Sequence, residues 1–122
     1  MFAKLKKEKR RNPALKYIEL KSYQDAKVNL DKAMNYDAEN AAVYLGYAYY
    51  YQRVNESKQA ESAYLKAREL APKDGNIRNN YGTFLCAQQK YAAAEREFLA
   101  AISAPFYNKV ANSYDNAGQC AL

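Results

Sequence analysis

Few side chains in this sequence can do chemistry. It has two cysteines, Cys86 and Cys120, far apart in the chain, and no histidine. Without an imidazole the chain lacks the usual general base, the usual proton shuttle and the commonest metal ligand. Two thiols so widely separated match no zinc motif. Carboxylates are scattered without a convergent pair, and no Gly-rich phosphate loop or G-x-S-x-G elbow occurs. This inventory argues against an enzyme and calls for no metal and no cofactor. It leaves a pair of thiols, the Asn79-Asn80 step, and a cluster of tyrosines at 44, 47, 49, 50 and 51.

The elements that position these residues follow from a period. Ala94, Phe98 and Ala101 follow Ala60, Tyr64 and Ala67 at the same interval at which those follow Ala26, Leu30 and Ala33. A small, a large and a small residue are thus kept in register three times. The interval, about 34 residues, is the length of one helix–turn–helix unit of the tetratricopeptide repeat (TPR). Stacked units of that kind form an all-α solenoid. Counting units from Lys7, Ala41 and Gly75, position 8 holds Ala14, Ala48 and Gly82, where two helices must approach closely. Pro13 falls inside what would be the first helix of the first unit. That helix is therefore expected to start there, with Asn12 as N-cap, and to be short, about 13–20. A turn at Lys21–Asp25 and a second helix at Tyr23–Tyr36 follow. The expected organisation is a basic arm over 1–12 and repeats over 13–40, 41–74 and 75–108. A partial fourth unit over 109–122 has Gly118 in the place of Gly82.

On this register Tyr44, Tyr47 and Tyr51 share a core-facing side, whereas Tyr49 looks into the concave groove. Taking positions 2, 5, 9 and 12 as groove-facing gives a protein-binding set of Leu45, Tyr49, Gln52, Asn76, Asn79 and Thr83, beside Ala42 and Cys86. No basic residue stands at these positions, which disfavours a grip on a C-terminal carboxylate. The Asn pair is read equally as ligand contact or as capping and interhelix hydrogen bonding. Cys86 and Cys120 fall on successive first helices at positions 12 and 10, which differ by about 200° of rotation and so can face each other. Helix axes about 9 Å apart then put the Cα atoms near 5 Å, inside the disulfide range of about 4.4–6.8 Å. Two reduced thiols filling small core spaces fit a reducing compartment equally well.

At 122 residues the chain is one domain, and its +6 charge is concentrated at one end. Lys4, Lys6, Lys7, Lys9, Arg10 and Arg11 against Glu8 leave +5 in the arm that ends at Asn12 and +1 in the rest of the chain. The arm reads first as a solvated tail, second as a contact for anionic lipid or nucleic acid. A nearly neutral body gives no reason to expect nucleic acid as partner. No apolar run is long enough for a transmembrane segment, and neither a signal peptide nor a lipobox is visible, so as written the chain reads as cytoplasmic. The last helix, with Val110, Tyr114, Ala117, Ala121 and Leu122, is apolar where a capping helix would be polar. It is expected to self-associate or to use that face for a partner.

The run NNYGTFLC, the KY that starts the following helix, and SYDNAGQCAL together resemble the TPR proteins of type IV pilus biogenesis and stability in Gram-negative bacteria, also called pilotins. The resemblance spans roughly Ala14–Leu122 and is strongest over Asn76–Cys86 and Asn112–Leu122. It implies a non-catalytic outer-membrane lipoprotein on the periplasmic side that helps the secretin assemble or reach the outer membrane. Family members begin with a lipoprotein signal and an acylated cysteine and carry about twice as many repeats. By that measure the sequence reads as a fragment or a chain with a misplaced start. The alternative is a TPR scaffold that binds a peptide or helix in its groove and has no connection to pili.

Overall fold

In a computed structural model, residues 13–105, 107 and 109–121 are described. They form six helices: α1 (Pro13–Tyr36), α2 (Ala41–Arg53), α3 (Ser57–Leu70), α4 (Gly75–Ala87), α5 (Tyr91–Ile102) and α6 (Val110–Ala121). The chain divides at Ala38–Glu39 into two compact units. The basic arm and the expected cap at Asn12 lie outside the described residues.

The unit ending at Ala38 corrects one expectation. Residues 13–36 form a single helix of 24 residues, with no turn at Lys21–Asp25. Turns in the other two helix pairs each rest on a residue in the left-handed region, Asn55 at φ 62° and Gln89 at φ 63°. The equivalent position is Lys21, a good helix former, and no Gly, Pro or Asn lies between Lys21 and Asp25. Nothing there stops the helix. The small–large–small face is also not buried: Ala26 is exposed, and Leu30 and Ala33 are only half-buried.

From Glu39 onward the repeat reading holds closely. Asn40 caps α2, its side-chain oxygen accepting from the Ala42 amide at 2.9 Å. Asp74 caps α4 in the same way, accepting from Asn76 and Ile77. Such caps satisfy amides that have no partner inside the helix. Helices α2 and α3 pack as one antiparallel pair and α4 and α5 as the next. Both small–large–small triplets are at the centre: Ala60, Tyr64, Ala67, Ala94, Phe98 and Ala101 are all fully buried. Tyr64 and Phe98 each contribute roughly 1.5–3 kcal/mol by that burial. Tyr44, Tyr47 and Tyr51 pack at the edge of this core, as their spacing requires.

A charged group is buried in the same unit. Glu97 on α5 is only 6% exposed, and Arg68 of α3 and Arg78 of α4 reach it from two sides, each at 3.2 Å. Arg78 also donates to the Pro72 carbonyl from Nε and Nη2, at 3.1 and 3.0 Å. One carboxylate therefore ties three helices and an interrepeat loop together, with its lone pairs met by charged donors. Losing it would leave two guanidinium groups without their partner.

Gly82 meets Phe98 at the closest point between α4 and α5. A methyl group built there would lie 2.7 Å from the Phe98 ring. At Gly118, which occupies the same repeat position in α6, nothing lies within 4 Å. The two glycines should therefore respond oppositely to alanine. Gly82→Ala should lower stability by roughly 1–2 kcal/mol, overpacking exceeding the gain in helix propensity. Gly118→Ala should be neutral or raise it by up to about 1 kcal/mol. Urea unfolding of both variants checks this, and equal shifts would refute the close-packing role of Gly82.

Candidate functional site

Helices α2 and α4 present one side of each repeat to a groove, and side chains from both converge there. Tyr49, Gln52 and Arg53 come from α2, Asn80 and Thr83 from α4, and the Tyr64 hydroxyl rises from α3 beneath them, around a cavity of about 350 Å³. The helical period puts Tyr49, Gln52 and Arg53 near one another at the end of α2. Tyr49 is 41% exposed, although its ring meets Tyr64 edge-on with centroids 6.4 Å apart. Tyr64 donates its hydroxyl hydrogen to Gln52 Oε1, leaving the Gln52 amide hydrogens directed elsewhere. Thr83 donates to the Asn79 carbonyl at 3.1 Å, and Asn80 to the Asn76 carbonyl at 2.8 Å. The free polarity of the groove is thus donor-rich: the Arg53 guanidinium, the Gln52 amide and the Tyr49 hydroxyl. Such a set suits carbonyl and carboxylate acceptors on an extended segment.

Of the expected groove residues, the structure brings Tyr49, Gln52 and Thr83 together. Leu45 is in the hydrophobic core instead, 9% exposed. Asn76 is exposed outside the cavity lining. Asn79 turns toward α6, where its Oδ1 accepts from Ser113 at 2.9 Å and Asn116 at 3.2 Å. The Asn pair therefore divides, Asn79 joining helices and Asn80 lining the groove. Arg53 and Asn80 were not in the expected set. Arg53 is one position past a groove position, and its long side chain reaches back. No ion pair engages it among the described residues, so the groove has a cation that the positional reading leaves out.

Beneath the groove the aromatic rings form a stack. Tyr64 and Tyr81 lie nearly parallel with centroids 5.3 Å apart, and Arg68 stands over the Tyr81 ring. Tyr81 donates to Glu61 at 3.1 Å. Burial first, then the Glu61 carboxylate, pushes the Tyr81 hydroxyl up to about 12, against the pull of Arg68. Burial also raises Tyr64, with Tyr49 adding to it, and burial followed by Asp74 raises Tyr49. Each phenol is thus harder to ionise folded than unfolded. Their contribution is fully present below the unfolded value near 10 and is lost as pH rises toward 12. The urea midpoint should hold steady up to about pH 10 and then fall, less steeply in Tyr81→Phe. An identical alkaline slope in that variant would contradict the assignment to Tyr81.

On the far side of α4, Cys86 and Cys120 form a disulfide, with Cα atoms 5.7 Å apart. It joins the first helices of successive units. Closing a loop of 34 residues should stabilise by roughly 3–4 kcal/mol in the chain-entropy model. Protein made in an oxidising compartment should contain no free thiol by non-reducing mass spectrometry, and reduction should lower its unfolding midpoint. Two free thiols in that material would remove the bridge. The α6 face expected to self-associate is narrower than its composition suggests. Ala117 packs on the core, whereas Tyr114 is 59% exposed. The side chains of Val110, Ala121 and Leu122 lie outside the described residues.

Comparison with known proteins gives this architecture relatives. No family model matches the chain. An uncharacterised protein of Haemophilus influenzae is 38% identical over 108 residues, which are 88% of this chain and 60% of that protein. The type IV pilus assembly protein PilF of Pseudomonas aeruginosa is 31% identical over 108 residues, 88% of this chain and 43% of PilF. Among solved structures, PilW, described as a widely conserved type IV pilus biogenesis factor, superposes with a TM-score of 0.77 at 28% identity. That match covers 88% of this chain and 50% of PilW. Pseudomonas aeruginosa PilF superposes with a TM-score of 0.78 at 30% identity, over 88% of this chain and 48% of PilF. The chain spans about half the length of these pilus relatives. Over the matched residues it is homologous to PilF, and its all-helical fold of TPR helix pairs matches that of the PilW and PilF structures. No helix among the described residues is long and apolar enough to cross a membrane.

Proposed function

We propose that this homologue of the type IV pilus biogenesis factors acts as a protein-binding module in pilus assembly, and that it engages the secretin subunit, helping it assemble or reach the outer membrane. The observation that carries this reading is the groove between α2 and α4. Of its lining residues Tyr49, Gln52, Arg53, Asn80 and Thr83, the first three have hydrogen-bond donors left to offer a partner. That arrangement suits an extended polypeptide better than a small substrate, and binding there requires no catalysis. An acidic side chain on the bound segment would pair with Arg53, with the Tyr49 ring beside it. The Cys86–Cys120 bridge supports an oxidising compartment, in keeping with the periplasmic side of the outer membrane.

The test is capture of the purified pilus secretin by immobilised chain. Wild type should retain it, whereas Tyr49→Ala and Arg53→Glu should each weaken capture about tenfold or more with far-UV helicity unchanged. Capture by both variants at the wild-type level would overturn the groove assignment. Failure of the wild type to bind would overturn the choice of partner.

A further inference from the structure

Tyr64 is only 1% exposed, yet its hydroxyl reaches the floor of the groove and donates to Gln52 Oε1. The next unit separates what the ring does from what the oxygen does. Phe98 stands at the same repeat position there and is likewise 1% exposed. Packing at that position is complete without a hydroxyl. The partner changes with it: Cys86 takes the repeat position of Gln52 and is tied into the disulfide with Cys120. Phenol and carboxamide thus occur together in the earlier unit and are absent together from the next. The core asks only for a ring at position 64, so the hydroxyl answers to Gln52.

A carboxamide has an acceptor end and a donor end, and the phenol decides which of them faces a ligand. Burial, then Tyr49, raises the Tyr64 hydroxyl, so it keeps its hydrogen well above neutral pH. Turned the other way, Gln52 would donate to the phenol, whose hydrogen would have no acceptor among the described residues. The orientation present sends both amide hydrogens of Gln52 toward the groove. On the opposite wall the donors are spent. Asn80 gives its amide hydrogens to the Asn76 carbonyl and Oδ1, and Thr83 gives its hydroxyl hydrogen to the Asn79 carbonyl. Building on the groove reading above, we infer that Tyr64 is a positioning residue that holds the Gln52 amide outward, so that the groove selects a segment offering an uncharged carbonyl oxygen beside the acidic group met by Arg53. Neighbouring donors of different charge ask for two different acceptors. A main-chain carbonyl, or the side-chain carbonyl of Asn or Gln, meets the neutral one.

Two measurements test this, the first without any partner. In ¹⁵N–¹H NMR of the full chain, the Gln52 side-chain amide should be ordered in the wild type and mobile in Tyr64→Phe. The backbone spectrum of that variant should stay otherwise native, as the ring of Phe98 indicates. Equal mobility of the Gln52 amide in both proteins would overturn the positioning role. The second measurement is capture of the purified secretin. Gln52→Met, similar in length but without the amide, should weaken capture about fivefold, and Tyr64→Phe about threefold. In a Gln52→Met background, Tyr64→Phe should add nothing, because its effect passes through the amide. A further loss of similar size there would make Tyr64 a packing residue and overturn the proposal. Weakening by Arg53→Glu with none by Gln52→Met would leave the groove standing and overturn the carbonyl contact. Should the wild type retain no secretin, the choice of partner falls, while the NMR comparison still decides the role of Tyr64.

Discussion

The packing of the unit from Glu39 onward depends on how close two helices can come at one point. The Phe98 ring occupies the space a side chain at position 82 would need, so α4 and α5 touch backbone to ring. Ala48 and Tyr64 stand in the same relation one repeat earlier, both fully buried. Once that distance is set, the rest of each pair follows: small residues one turn above and below the ring close the seam, and larger ones fill its flanks. Interiors packed to this density transmit any change in volume to their neighbours. The aromatic ladder of Tyr64, Tyr81 and Phe84 exists because these contacts hold the successive pairs at ring-stacking separation.

On this apolar frame the polar groups divide labour. Glu97 joins α3, α4 and α5 from inside, with its charge met by two arginines. Glu61 does similar work nearer the surface, receiving Tyr81 and Lys90. Asn79 links α4 to α6 through Ser113 and Asn116. None of these is at the groove surface, which is why Tyr49, Gln52 and Arg53 are left with hydrogen-bonding capacity to offer a partner. A buried ion pair adds less net stability than its contacts suggest, but it penalises every arrangement in which the three helices meet differently.

How much of this was legible depends on how local the cause is. The bounds of α2 and α3 follow from caps, turn residues and the helical period, and both helices run as the sequence indicates. The role of Gly82 was legible from its repeat position alone. The missing turn near Lys21 was not, because the period implies two helices while the local residues favour one, and the period prevailed in the reading. Leu45 and Asn79 were placed in the groove by position, yet one turned to the core and the other to α6. Position on a helix gives a direction, not a neighbour. Arg53 and Glu97 were missed for the same reason, since a long side chain reaches beyond its own position and no pattern in one helix reveals a buried charge's partners.

The covalent link between Cys86 and Cys120 also decides how the molecule would carry load. With the bond intact, tension applied near the end of α6 passes directly into α4 through the two sulfurs. Helix α5 and the connection around Pro105 then sit on a slack loop outside the line of force. A pull in that direction would have to peel α4 from its neighbours, and it cannot stretch the chain between the cysteines while the bond lasts. Whatever holds the last helix is thereby mechanically coupled to the helix that forms one wall of the groove.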